Sequence, residues 1–304
     1  MKMNPKYIAE IGSNHNNKLQ RIEKLIYTAK ELGFWAVKFQ LFRAEYLYWS
    51  GETNKIHNAI DNELDLDLVY YIKDICNDCN IRLMFTPFDL NAINFLRDKT
   101  DYYKISSFDI LRDCFITEAF NANMKTLFLS TGLATDTDIR KCINYINQHK
   151  AVEESDGLLN ICLMHCVSKY PTKKKEANIH VIRDLIQSFS LFVNHFGYSD
   201  HTVNIDVIKA AIKLGAEYIE LHFDLDDKKG AEYKYGHCWT PKKIKKLFKF
   251  SHNLNSLFIN NLNYNYIINN FGTAKPLTKD ELGQRADPSD GLRPMLYKRV
   301  KKSL

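Results

Sequence analysis

What most constrains this chain is an order of elements: eight short apolar segments, each followed by a longer stretch with helical spacing. The strand-like segments fall at residues 7–12, 36–42, 82–88, 102–107, 126–131, 158–166, 192–200 and 217–223. Helical patterns run over 18–32, 61–79, 90–99, 112–121, 136–149, 178–188, 204–214 and 240–257. A strand that must pass through a helix before the next strand cannot return as a hairpin, so strict alternation means parallel strands with right-handed crossovers. Eight such units close on themselves, and the expectation is an α/β protein, a (β/α)8 TIM barrel with a short C-terminal extension. Leu158 to Met164 is apolar almost throughout, which suits a strand covered on both faces. No GxGxxG follows the first strand, so the dinucleotide fingerprint of an open doubly wound sheet is absent.

A length of 304 residues suits one barrel with additions, read as a catalytic domain over 1–265 and a tail over 266–304. The balance of 45% hydrophobic and 26% charged residues is that of a globular chain able to bury a core. The net charge of +6 comes largely from the lysine-rich stretches 242–249 and 297–302, read as solvated faces rather than a nucleic-acid surface. No apolar signal segment precedes Tyr7 and no run approaches the roughly 18 apolar residues of a membrane span, so no membrane partner and a cytoplasmic location are expected. Seven scattered cysteines argue for reduced thiols, and Cys76 and Cys79 form a lone CxxC in a helical pattern with no second pair to make a zinc site.

Barrel enzymes place their chemistry where strands end. There this chain puts Glu10, Asn14 and His15; Lys38 and Gln40; Thr86 and Asp89; Lys104, Ser106, Ser107 and Asp109. The series continues with Ser130 and Thr131; His165, Ser168 and Tyr170; Ser199, Asp200 and His201; Glu220 and His222. One such group could be a satisfied core residue, but a ring of them implies a polar cavity. Lys38 and Lys104 sit inside otherwise apolar strands, where an ammonium needs an anion. Glu10 or Glu220 would serve, and so would the phosphate and carboxylate of a ligand that also meets Thr86, Ser107, Ser168 and Ser199. His201 and His222 end neighbouring strands, and with Glu10 they form a nitrogen and oxygen set suited to a divalent ion of the manganese type.

These segments resemble the sialic acid synthase family, the synthases of N-acetylneuraminate and related nonulosonates. The matching stretches are AEIGSNH at 9–15, AVKFQLF at 36–42, FTPFD at 85–89, YKISSFD at 103–109, LSTGLAT at 129–135, HCVSKYPT at 165–172, GYSDHT at 197–202 and GAEYIELHF at 215–223. The resemblance implies condensation of phosphoenolpyruvate with an open-chain N-acyl amino sugar and release of phosphate. It implies that Lys38, Thr86, Lys104, Ser107, Ser168 and Ser199 hold phosphoenolpyruvate and that His201 and His222 bind Mn2+ or Mg2+. It places Glu10 near the reacting carbons, as a carboxylate that manages a proton or the metal-bound water, and turns Tyr170 and Asp109 toward the sugar.

The chain also departs from the family. Asn17 stands where many members have glycine, and after the eighth strand KKGAEYKYGHCWTP offers only Glu232 and His237 where members have an aspartate. The tail is too short for the antifreeze-like domain that lends an arginine to a partner subunit in many members. The expectation is a homodimer in which Arg285 or Arg293 serves instead. The competing readings are a related phosphoenolpyruvate-dependent synthase using a phosphorylated sugar, for which loop 43–60 supplies only Arg43 and Lys55, and a non-catalytic sugar-binding barrel.

Overall fold

The computed structural model describes residues 5–47, 53–122, 124–152 and 160–251. Its strands are β1 (Lys6–Gly12), β2 (Ala36–Leu41), β3 (Arg82–Pro87), β4 (Tyr102–Ile105), β5 (Thr126–Ser130), β6 (Asn160–His165), β7 (His195–Asp200) and β8 (Tyr218–His222). Each pairs in parallel with the next, and β8 pairs with β1, closing the barrel in sequence order. The helices are α1 (Leu19–Leu32), α2 (Ala44–Leu47), α3 (Thr53–Ile60), α4 (Leu66–Asp78), α5 (Leu90–Leu96), α6 (Asp113–Asn121), α7 (Asp136–Val152), α8 (Val181–Phe189), α9 (Ile205–Lys213) and α10 (Pro241–Ser251).

Outward strand residues and the apolar stripes of the helices make the main core. On α8 the stripe is Ile182, Leu185 and Phe189, each contributing about 1.5–3 kcal/mol by leaving water. The 61–79 helix starts instead at Leu66, because the Asp65 side chain accepts from the amide of Asp67 and fixes the cap there. Helices α2 and α3 lie in the stretch read as loop 43–60. On α3 only Ala59 is buried, too little for a periodic signal. The tail, the boundary at 265, Arg285 and Arg293 lie outside the described residues.

Inside the barrel, side chains two apart along a strand form layers. The lower layer is apolar: Ile8, Ala36, Met84, Phe128, Cys162 and Tyr218, with Met164 one step above Cys162 on β6. Trp35 closes the floor, edge-on to Tyr102 and Tyr218 at ring distances of 5.1 and 5.2 Å. One step up the same strands stand Glu10, Lys38, Thr86, Lys104, Ser130 and Glu220, all buried. The inward positions therefore change from apolar to polar halfway up the barrel, and the apolar half supports the polar half.

Candidate active site

The register of the strands brings the charges together. Glu10 lies opposite Lys38 on β2 and His222 on β8, while Ser199 on β7 lies opposite Glu220. Lys38 Nζ is 2.5 Å from Glu10 Oε2 and 3.7 Å from Glu220 Oε2, and it donates to Thr86 Oγ1 at 2.8 Å. Lys104 Nζ is 2.5 Å from Glu220 Oε1, which also accepts from Ser199 Oγ at 2.9 Å. Gln40 Nε2 donates to Glu10 Oε1 at 2.7 Å and fixes that carboxylate from the other side.

Burial alone would discharge these groups. For Lys38 it is outweighed by the charges of Glu10 and Glu220, and its pKa lies above the ordinary lysine value. For Glu220, burial is outweighed by Lys104 and Lys38, and its carboxyl is held well below the usual range. The lysines thus meet glutamates, as one of the two sequence readings allowed. They also face an open cleft lined by the ends of the strands.

Glu10, Lys38, Thr86, Lys104, Ser107, Ser168, Tyr170, Ser199, His201 and His222 all line this one cleft. Asp109 does not. It is fully buried, accepts from Ser106 Oγ at 2.5 Å and pairs with Arg112 at 3.3 Å, so it shapes the β4 loop rather than facing a sugar. Asp200 is likewise structural, accepting from Tyr198, Thr202 and Trp239. Cys166 is a lining residue that sequence reasoning passed over. Its Sγ lies 3.1 Å from Ser107 Oγ, and Ser107 Oγ accepts from the Gly132 amide at 3.2 Å. A Cβ on Gly132 would stand 2.7 Å from Cys166 Sγ and 2.9 Å from Ser168 Oγ, so only glycine lets these groups converge.

The β8–α10 loop carries the acidic group that the sequence left in doubt. Glu232 Oε2 lies 2.8 Å from His222 Nδ1 and 3.4 Å from His237 Nε2, and Oε1 accepts from the Ser13 amide at 2.6 Å. Its carboxyl is held well below the usual range, because the hydrogen bonds from the two imidazoles outweigh burial. His222 moves up, the bond to Glu232 overcoming burial. His201, which burial dominates, moves well below the usual imidazole range.

Several bonds clasp this loop to the β1–α1 turn. Asn14 Oδ1 accepts from the Glu232 amide at 2.9 Å, Asn16 Oδ1 from the Ala231 amide at 2.9 Å, and Arg21 binds Asp224 and Asp227. Asn17, in the same turn, has φ 51°, a left-handed conformation that asparagine tolerates.

A divalent ion, which the resemblance implies, can be tested against the donors. His201 Nδ1 lies 2.6 Å from the Val167 carbonyl and His222 Nδ1 2.8 Å from Glu232. Both rings therefore keep Nε2, on side chains that share the cleft wall at a ring distance of 5.2 Å. Histidines that bind metals are anchored in this way through the other nitrogen, so the donors fit an ion. His222, Glu232 and His237 also bring three possible ligand atoms within 4.8 Å of one another.

Residues 25–261 match the model of the NeuB family. The chain belongs to the NeuB family. Membership bears out the resemblance read from the strand-end motifs and makes the chain an enzyme of the sialic acid synthase type. The N,N'-diacetyllegionaminic acid synthase of Campylobacter jejuni is 33% identical over 255 residues, covering 79% of this chain and 73% of that protein. The synthase of the same name from Legionella pneumophila is 33% identical over 234 residues, covering 72% of this chain and 64% of its own length. The crystal structure of the N-acetylneuraminic acid (sialic acid) synthetase from Leptospira borgpetersenii, in complex with citrate, matches with a TM-score of 0.74 at 25% identity. It covers 91% of this chain and 90% of that one.

No helix among the described residues is long and apolar enough to cross a membrane. All seven cysteines are described and none is paired.

Proposed function

We propose that this NeuB-family chain condenses phosphoenolpyruvate with the open-chain form of an N-acyl amino sugar, giving a nonulosonic acid and inorganic phosphate. The observation that carries the reading is the polar upper layer of the barrel: two buried lysines that open on one cleft with Thr86, Ser107, Ser168 and Ser199. The names of the relatives support the product class, since each describes the synthesis of an acid of this kind.

In this reading the methylene carbon of phosphoenolpyruvate attacks the aldehyde carbon of the sugar, and the aldehyde oxygen takes up a proton. Water adds to the carbon bearing the phosphate and loses one proton, and the phosphate departs with the bridging oxygen and takes up the second, leaving a ketone. Lys38 and Lys104 counter the phosphate and carboxylate. Glu10 and Glu220 hold both ammonium groups in position before substrate arrives. Glu10, fixed by Lys38 and Gln40, holds or moves the proton at the reacting carbons. Tyr170, with 47% of its surface exposed at the mouth, faces the sugar. His201 and His222 would hold the divalent ion, Mn2+ or Mg2+, which when bound polarises a carbonyl oxygen.

Arg43, one of two cations available to clamp a sugar phosphate, is paired with Glu63 at 2.8 Å, which favours an unphosphorylated sugar. The homodimer and the roles of Arg285 and Arg293 rest on the sequence. The deciding experiment measures phosphate release from phosphoenolpyruvate with a panel of N-acyl hexosamines and their phosphates, with and without Mn2+. Release that depends on an unphosphorylated N-acyl sugar is expected. Release only with sugar phosphates would transfer the protein to the competing synthase class, and none with any sugar would remove the reading.

A further inference from the structure

The β8–α10 loop places a second buried imidazole behind the first. His237 is 3% exposed, its ring centroid lies 4.5 Å from that of His222, and both imidazoles meet one oxygen of Glu232. The arrangement is fixed on every side. The Ser13 amide holds the other carboxylate oxygen, and Asn14 holds the Glu232 amide. Gly230 permits the approach, since a Cβ there would stand 2.3 Å from Asn14 Oδ1. The Trp239 amide donates to the His222 carbonyl at 2.6 Å, tying the segment that carries His237 to the end of β8. A surface loop would not need so many constraints; a loop that sets the angle of one ring does.

We infer that Glu232 and His237 form a positioning pair for His222. Glu232 accepts from Nδ1–H of His222, which selects the tautomer whose lone pair is on Nε2, the nitrogen left available on a ring that lines the cleft. His237 donates to the same oxygen and prevents the carboxylate from turning away. His237 acts through Glu232 and touches neither substrate nor ion. This rests on the proposed use of His222 in the condensing reaction, but its readouts need no substrate.

The test uses the full chain, stripped with a chelator. Nitrogen-15 NMR of the imidazoles reads the His222 tautomer in the unaltered protein, where the Nδ1–H form is expected; the Nε2–H form would overturn the pairing without any variant. Calorimetric titration with Mn2+ then compares variants whose folding is checked by circular dichroism. His237→Leu removes the donor and should weaken Mn2+ binding roughly ten- to a hundredfold. His237→Gln keeps an N–H donor of similar reach and should restore affinity to within about threefold of the unaltered chain. If leucine binds Mn2+ as well as histidine does, the pair has no such role. If glutamine is as damaging as leucine, His237 is a direct ligand, in line with the three-atom cluster it forms with His222 and Glu232, and the positioning role is wrong. A chain that shows the expected tautomer yet releases no phosphate would retain this inference and lose the proposed reaction.

Discussion

At the scale of single residues, the lysines carry the account. Lys104→Met should weaken phosphoenolpyruvate binding roughly ten- to a hundredfold, the loss of one charge-assisted contact worth about 1.5–3 kcal/mol. Calorimetry showing unchanged affinity would remove Lys104 from the site. The same variant leaves Glu220 buried with Lys38 at 3.7 Å as its remaining cation. It should therefore also lower unfolding stability by about 3–5 kcal/mol, most of it recovered in Lys104→Met with Glu220→Gln, as denaturant titration would show. Both lysines were legible in the sequence, because an ammonium in an apolar strand demands an anion. The choice of anion was not, since a glutamate on another strand and a ligand phosphate make the same demand. Asp109 shows the opposite limit: its motif is the family's, but its contacts with Ser106 and Arg112 turn it into the structure.

At the scale of elements, the strand ends were legible and the loops were not. Inward positions recur every second residue, so the switch from an apolar to a polar layer is written in most of the strands. Nothing in the period reveals that the β8–α10 loop folds back over β1, because that depends on Asn14, Asn16 and Arg21, more than 200 residues away in the chain. Only the presence of Glu232 and His237 after β8 hinted at it. The β5 turn offers a sharper test. In Gly132→Ala the new methyl would press on Cys166 Sγ, Ser168 Oγ and Ser107 Oγ. The KM for phosphoenolpyruvate should rise at least tenfold while the melting temperature changes little, and adding Cys166→Ala should recover part of the loss. An unchanged KM would mean that these three groups do not meet the substrate.

At the scale of the whole molecule, closure of eight parallel strands is what turns scattered motifs into one site. The fold followed from the alternation alone, whereas the chemistry needed the motifs, since a barrel accommodates many reactions. Membership of the NeuB family narrows the reaction, and the cleft with its two lysine–glutamate pairs is the site proposed for it. The most direct measurement supplies phosphoenolpyruvate labelled with carbon-13 at its methylene carbon, an N-acyl hexosamine and Mn2+, and follows the label by NMR. The account predicts that the label enters a saturated methylene bonded to the former aldehyde carbon of the sugar, with one phosphate released for each bond formed. Label recovered in the methyl group of pyruvate, or retained in phosphoenolpyruvate with every N-acyl sugar, would contradict it.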